Sequence, residues 1–314
     1  MWRPITDPET REAAWSVLDE IDRCLAAQVR AGEAGTERAR DPTLGGGTIG
    51  LALFFAYLEA ARPGSQADER ALAVLGEAID ALAERSLEPS LYSGFSGVGW
   101  AIQHLTREFF DGDDDLTVAI DDALDGFLAD PRSILPYELM RGLAGFGTYL
   151  IERLPHPQAR DLLARVIDHL EATAERSAAG CTWHNRPEWI AGWKRPLLPD
   201  GCYDLGLAHG VPGVLGFLAA AQRAGVADPR IPALAEGAVQ WLLAQRRPAG
   251  GDYTFPAFLI PGSGPQPSRT AWCYGDLGVA AVLLSAARSF DRPDWEREDY
   301  DPLFRAFQVK RWKD

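Results

Sequence analysis

Cysteine and methionine are scarce in this chain, with four Cys and two Met among 314 residues. The thiols Cys24, Cys181, Cys202 and Cys273 are too few for a disulfide scaffold. The opening stretch, Met1-Trp2-Arg3-Pro4-Ile5-Thr6-Asp7-Pro8-Glu9, lacks an apolar signal region. No run approaches the ~20 apolar residues needed to cross a bilayer. The most apolar stretch, Leu51 to Leu58, is closed by Glu59 and Arg62. Basic residues are in deficit, 31 Lys+Arg against 45 Asp+Glu, for a net charge of −14. That excludes a free-standing nucleic-acid binder, which needs a basic face, and leaves room for a basic peptide partner. Together these absences predict a cytoplasmic protein with no transmembrane segment, whose thiols are free or metal-bound. Strand-like alternation over a useful length is missing, and so is an interdomain linker. With 46% hydrophobic and 24% charged residues the chain is also no disordered tail. The expectation is one all-α domain over residues 1–314.

What is present is a repeat. A Gly-x-x-Gly element starts at Gly47, Gly94, Gly142, Gly210 and Gly275, at intervals of 47, 48, 68 and 65 residues. Each copy leads into an apolar helical run. Between the copies lie amphipathic helices, read at 10–30, 67–85, 115–129, 157–177 and 231–246, with single stripes such as Leu72, Leu75, Ile79 and Leu82. An outer amphipathic helix, a glycine loop and an inner apolar helix make one unit, and such units need neighbours to cover their faces. An open solenoid and a closed ring both satisfy that need. In a ring the glycine loops gather at one end, where missing Cβ atoms let backbones crowd and leave amide groups open to a ligand. The two longer intervals carry extra loops at 178–205, with Trp183, His184, Trp189 and Trp193, and at 247–270. Long loops of this kind are often functional. The tryptophans read as a loop mini-core, Cys24 as packed against a neighbouring helix, and the acidic run Asp111 to Asp115 as a solvated loop.

Copies four and five carry reactive side chains beside their glycines: Leu207-Ala208-His209-Gly210 and Trp272-Cys273-Tyr274-Gly275. If the loops converge, an imidazole and a thiol converge with them. Over residues 43–288 the chain resembles the LanC-type lanthionine synthetases, on the glycine repeats and these two motifs in this order. The resemblance implies an α/α toroid of inner and outer helices. It implies closure of thioether rings, lanthionine or methyllanthionine, in a ribosomal precursor peptide, by conjugate addition of a cysteine thiol to dehydroalanine or dehydrobutyrine. A separate dehydratase is an implied partner. A zinc ion held by two Cys and one His is implied too, its fourth position open to the substrate thiol, which a metal deprotonates. Carried over, Cys273 is the first zinc ligand, and His209 is the active-site histidine that moves a proton to or from the thiol or enolate. Arg269, four residues before Cys273, stabilises enolate charge. Glu138 stands where the family has an aspartate, four before Gly142, and would hold His209 in one tautomer.

One departure stands out. The family's other two zinc ligands come from a Cys-His-Gly tripeptide, and this sequence has none. The expectation is therefore a toroid incomplete at its C-terminus with one family ligand of three. Cys181 with His184, and Cys202 with His209, are weak substitutes by spacing. Two rival classes follow: a non-catalytic, metal-deficient toroid that binds peptides, and a different α/α-barrel enzyme such as a glycoside hydrolase. The latter needs two placed carboxylates, for which only Glu138, Asp204 and Asp276 stand near the glycine loops.

Overall fold

A computed structural model of the chain describes residues 7–30, 41–110, 115–129, 135–248, 251–269 and 271–296. Ten α-helices are found among them: α1 Pro8–Arg30, α2 Thr48–Ala61, α3 Ala67–Glu84, α4 Phe95–Glu108, α5 Val118–Ala129, α6 Leu143–Glu152, α7 Pro157–Thr173, α8 Val211–Arg223, α9 Arg230–Ala244 and α10 Asp276–Ser289. The long loops hold five short strands: β1 Glu175–Ser177, β2 Gly180–Thr182, β3 Tyr203–Asp204, β4 Phe258–Ile260 and β5 Gly264–Pro265. β1 and β2 form a hairpin, and β3-β4-β5 form a small antiparallel sheet with Tyr203 opposite Leu259 and Leu259 opposite Pro265. Strands of two or three residues are too short to show alternation, so the sequence reads as helix and loop alone. No helix among the described residues is long and apolar enough to cross a membrane.

The chain clusters into two compact units. Residues 1–87 and 104–113 form the first, and residues 88–103 and 114–314 the second. In the first unit the apolar face of α2, with Ile49, Ala52, Phe55 and Ala56, is buried together with Ala67, Ala71, Val74 and Ala78 of α3. Arg62 pairs with Asp19 of α1 and lies 4.5 Å over the Trp15 ring. Cys24 is exposed on α1, contrary to the packed position expected of it. Ala26, two residues on, faces inward instead.

In the second unit the inner helices α6 and α8 are buried almost all round. The outer helix α7 buries one stripe, Ala159, Leu162, Leu163, Val166, Ile167 and Leu170, as its spacing predicts. α10 departs from the inner-helix expectation. Its buried stripe is Gly278, Val279, Val282, Leu283, Ala286 and Ala287, while Leu277 and Ala281 are exposed. A buried ion network joins α5 to α6: Arg153 reaches Asp121, fully enclosed, and Asp115, and Tyr149 donates to Asp121. Asp115 is therefore an anchored residue; Asp111 to Asp114 lie outside the described residues.

The glycine repeat has a steric cause. The first glycine of each copy immediately precedes the helix, and a Cβ there would collide with the carbonyl oxygen six residues back: Asp41, Glu88, Pro136, Asp204 and Arg269 in turn. In three copies that carbonyl accepts the first helical N–H, from Thr48, Phe95 and Leu143 at 2.8–2.9 Å. Those amides are thus occupied by the loop itself and not left open for a ligand. The second glycine stacks one copy on the previous one. Cβ atoms built at Gly145, Gly213 and Gly278 would lie 3.0–3.2 Å from the Cβ of Leu91, Leu139 and Leu207, each three residues before the preceding copy's first glycine. Copies two to five are thereby linked loop to loop.

Candidate active site

Loop stacking brings copies three, four and five together. His209 of copy four reaches Glu138 of copy three, Nδ1 to Oε2 at 2.9 Å. Glu138 is buried and is itself fixed, accepting the Met140 N–H at 2.9 Å and the Arg141 N–H at 2.7 Å. The longer side chain thus folds back over its own turn and still reaches the ring. Burial opposes charge on His209, but the hydrogen bond and charge of Glu138, with Asp204 added, outweigh it and raise the imidazole above its ordinary pKa.

The sequence offers Asp204 only a place in the glycosidase alternative. Asp204 is 3% exposed, its Oδ1 accepts the Gly206 N–H at 2.7 Å, and its carbonyl fills the space beside Gly210. Burial pushes its carboxyl up to about 7, against the Gly206 N–H and the charge of His209. Counting back from the first glycine would have revealed it, because Asp204 and Arg269 occupy the same place, six before, in copies four and five.

Copy five meets copy four at Gly206, where a Cβ would strike the Cys273 carbonyl. The Tyr274 ring lies 5.9 Å from the His209 ring. Arg269 points Nη2 at the Cys273 sulfur, 3.8 Å away. Cys273 is half-buried, whereas Cys181 and Cys202 are buried and their thiols pushed up to about 11 and about 12, by burial first. Cys181 packs against Gly237 of α9. Asp276 spends both oxygens on the Thr254 and Phe255 N–H groups, pinning the second long loop to the start of α10.

A cavity of about 550 Å³ opens beside this constellation, with Glu138, Asp204, His209 and Tyr274 on one side. The first long loop supplies Trp189, Ile190, Trp193, Lys194 and Leu198. That loop is pinched off where Asn185 and Cys202 exchange backbone hydrogen bonds of 2.8 and 3.0 Å. Its small core is Ile190, Leu198 and Cys202 with Phe258 and Ile260, not the tryptophans. Trp183 instead joins the main core and donates Nε1–H to the Leu170 carbonyl, while Trp193 is 74% exposed. Cys273 and Arg269 do not line the cavity.

No group of three His, Cys, Asp or Glu among the described residues is placed to hold a metal ion. Cys273 has a guanidinium beside it, not a second donor, and no Cys or His follows it in the sequence. The residues present therefore do not make up a three-donor zinc site.

Helix pairs joined by stacked glycine loops, with a histidine–carboxylate pair at the loop end, make an α/α fold of the kind found in toroidal proteins. The solved structure of nisin cyclase shares it, with a TM-score of 0.77 and 21% identity over 96% of this chain and 78% of that one. Residues 38–300 match the Lanthionine synthetase C-like protein family, and the chain belongs to that family. It is 24% identical over 225 residues to the Nisin biosynthesis protein NisC of Lactococcus lactis subsp. lactis, covering 65% of this chain and 53% of that protein. The chain thus spans about half the length of the curated relative it matches.

Proposed function

We propose that the protein is a thioether-forming cyclase acting on a ribosomal precursor peptide that carries dehydroalanine or dehydrobutyrine. A dehydratase would supply that peptide. The observation that carries this reading is the Glu138-anchored imidazole of His209 facing a peptide-sized cavity, in a chain of this family. In the reaction the substrate thiol loses its proton and sulfur bonds to the β-carbon. The π pair moves onto the amide oxygen as an enolate, and the α-carbon then takes a proton. In this reading His209 holds that proton between the two steps, and Glu138 keeps the ring oriented and favours its charged form. Arg269 stands beside the Cys273 sulfur at the family's zinc-ligand position. No step is routed through zinc, because the donors present do not complete its site.

The decisive experiment incubates the chain with a dehydrated precursor peptide and counts free thiols by alkylation and mass spectrometry. Loss of one thiol per ring at unchanged mass is expected. His209→Ala should slow closure by about 10²–10⁴-fold, the range for a lost general acid–base. Binding of the same peptide with no ring closure at any zinc concentration would establish the rival reading, a metal-deficient peptide-binding toroid, which the incomplete donor set favours.

A further inference from the structure

One charged group in the cavity has no part in the chemistry so far. Lys194 is half-buried in the first long loop and lines the cavity with His209 and Asp204. Its ammonium lies 4.9 Å from the Tyr274 ring centre and 5.1 Å from that of Trp193. No carboxylate of the described residues forms an ion pair with it, in a protein carrying 45 acidic side chains. Glu138 holds His209 and two backbone N–H groups, and Asp204, which feels the Lys194 charge without pairing with it, holds the Gly206 N–H. The base of Lys194 is fixed. Its N–H donates to the Ala191 carbonyl at 2.8 Å, and the next residue, Arg195, ties the loop together through the carbonyls of Pro187, Glu188 and Ile190. Two aromatic faces hold the charge by cation–π attraction while leaving its N–H donors unused.

We propose that Lys194 is the anion-binding residue of this cavity and that, within the cyclase reading above, its ammonium receives the amide oxygen on which enolate charge builds. The geometry divides the work. Arg269 is turned to the Cys273 sulfur and lies off the cavity wall; of the two cations that do line the cavity, Arg141 and Lys194, only Lys194 is held there between aromatic rings, on the wall that His209 shares. As sulfur bonds to the β-carbon, the displaced π pair comes to rest on an oxygen facing preset N–H donors. The proton held by His209 then goes to the α-carbon, and the oxygen returns to a neutral carbonyl. Thiol has added across the double bond with no oxidant or reductant. A donor fixed where charge develops acts on the transition state more than on the bound substrate.

The test has two arms on the full chain. In the first, N-acetylglycine, a small amide carrying a carboxylate, is titrated against the protein and followed by tryptophan fluorescence. Wild type should bind it more weakly as salt rises. Lys194→Met should bind about tenfold more weakly or not at all, and Lys194→Arg should restore binding, a charge dependence that a packing role would not produce. Equal binding by wild type and Lys194→Met overturns the proposal. In the second arm, Lys194→Met should lower kcat for cyclisation about 10²-fold with KM little changed. An unchanged kcat overturns the enolate role. If the wild-type chain closes no rings, the cyclase reading has failed, and the first arm still decides whether Lys194 is the anion receptor.

Discussion

The His209–Glu138 pair couples stability to pH with a definite sign. The folded state holds the His209 imidazole above its ordinary pKa, so the pair's charge-dependent stabilisation is present below the unfolded value. It is lost as pH rises through the folded one. Glu138→Gln removes the carboxylate and should move the His209 NMR titration to lower pH. An unmoved titration would mean that the ring is not coupled to Glu138. Asp204 runs in the same direction for a different reason. Its carboxyl, near 7 when folded, binds a proton that the unfolded chain releases around 3.8. Stability should therefore fall as pH rises from about 4 to 7. Asp204→Asn keeps an acceptor for the Gly206 N–H and removes the ionisation, so its melting temperature should gain on wild type across that window. Parallel melting curves for the two proteins at pH 5 and pH 8 would disprove the burial effect. His209 was legible as a reactive side chain directly before a repeat glycine, and Glu138 only through the family resemblance, which places an aspartate there. Lys194 was not, because its place against Tyr274 depends on how a loop of irregular turns folds back. No period or motif encodes that.

At the scale of elements, the outer helices are legible because an apolar stripe every three or four positions has one physical meaning, but the helix read at 157–177 ends at Thr173, before β1, and Leu72 of the stripe read in α3 is exposed. The strands were not legible, since pairing of β3, β4 and β5 rests on a few backbone hydrogen bonds between loops. The glycine loops were legible as a repeat, but the partner of each glycine was not, because a carbonyl six residues back becomes visible only once the turn is built. That partner makes a sharp prediction. Gly142→Ala forces a methyl group into the Pro136 carbonyl and disrupts the turn that orients Glu138. The cost should be about 1–3 kcal/mol or more, a fall of about 2–4 °C per kcal/mol for a unit of this size, with His209 shifted in the NMR spectrum. Gly76→Ala, where nothing lies within 4 Å, is the control and should be neutral or stabilising, as a helix-interior glycine. Equal effects at the two positions would remove the collision as the cause.

Over the whole molecule, the question of zinc becomes an inventory of donors. Of the four cysteines, Cys181 and Cys202 are buried with thiols held protonated, and Cys24 is exposed on α1, leaving Cys273 alone at the site. Among the histidines, His104 bonds Tyr57, His169 the Leu128 carbonyl and His209 Glu138, while His156, its Nδ1 without a hydrogen-bond partner, lies near Asp115 and Asp121, and His184 packs against Tyr203. A catalytic zinc ordinarily takes three protein donors, and Cys273 with His209 would supply at most two. Residues 1–314 should therefore retain well under one zinc per chain after gel filtration in buffer without added metal. Cys273→Ala should leave that content unchanged. A stoichiometric zinc lost in Cys273→Ala would show instead that donors outside the described residues complete the site.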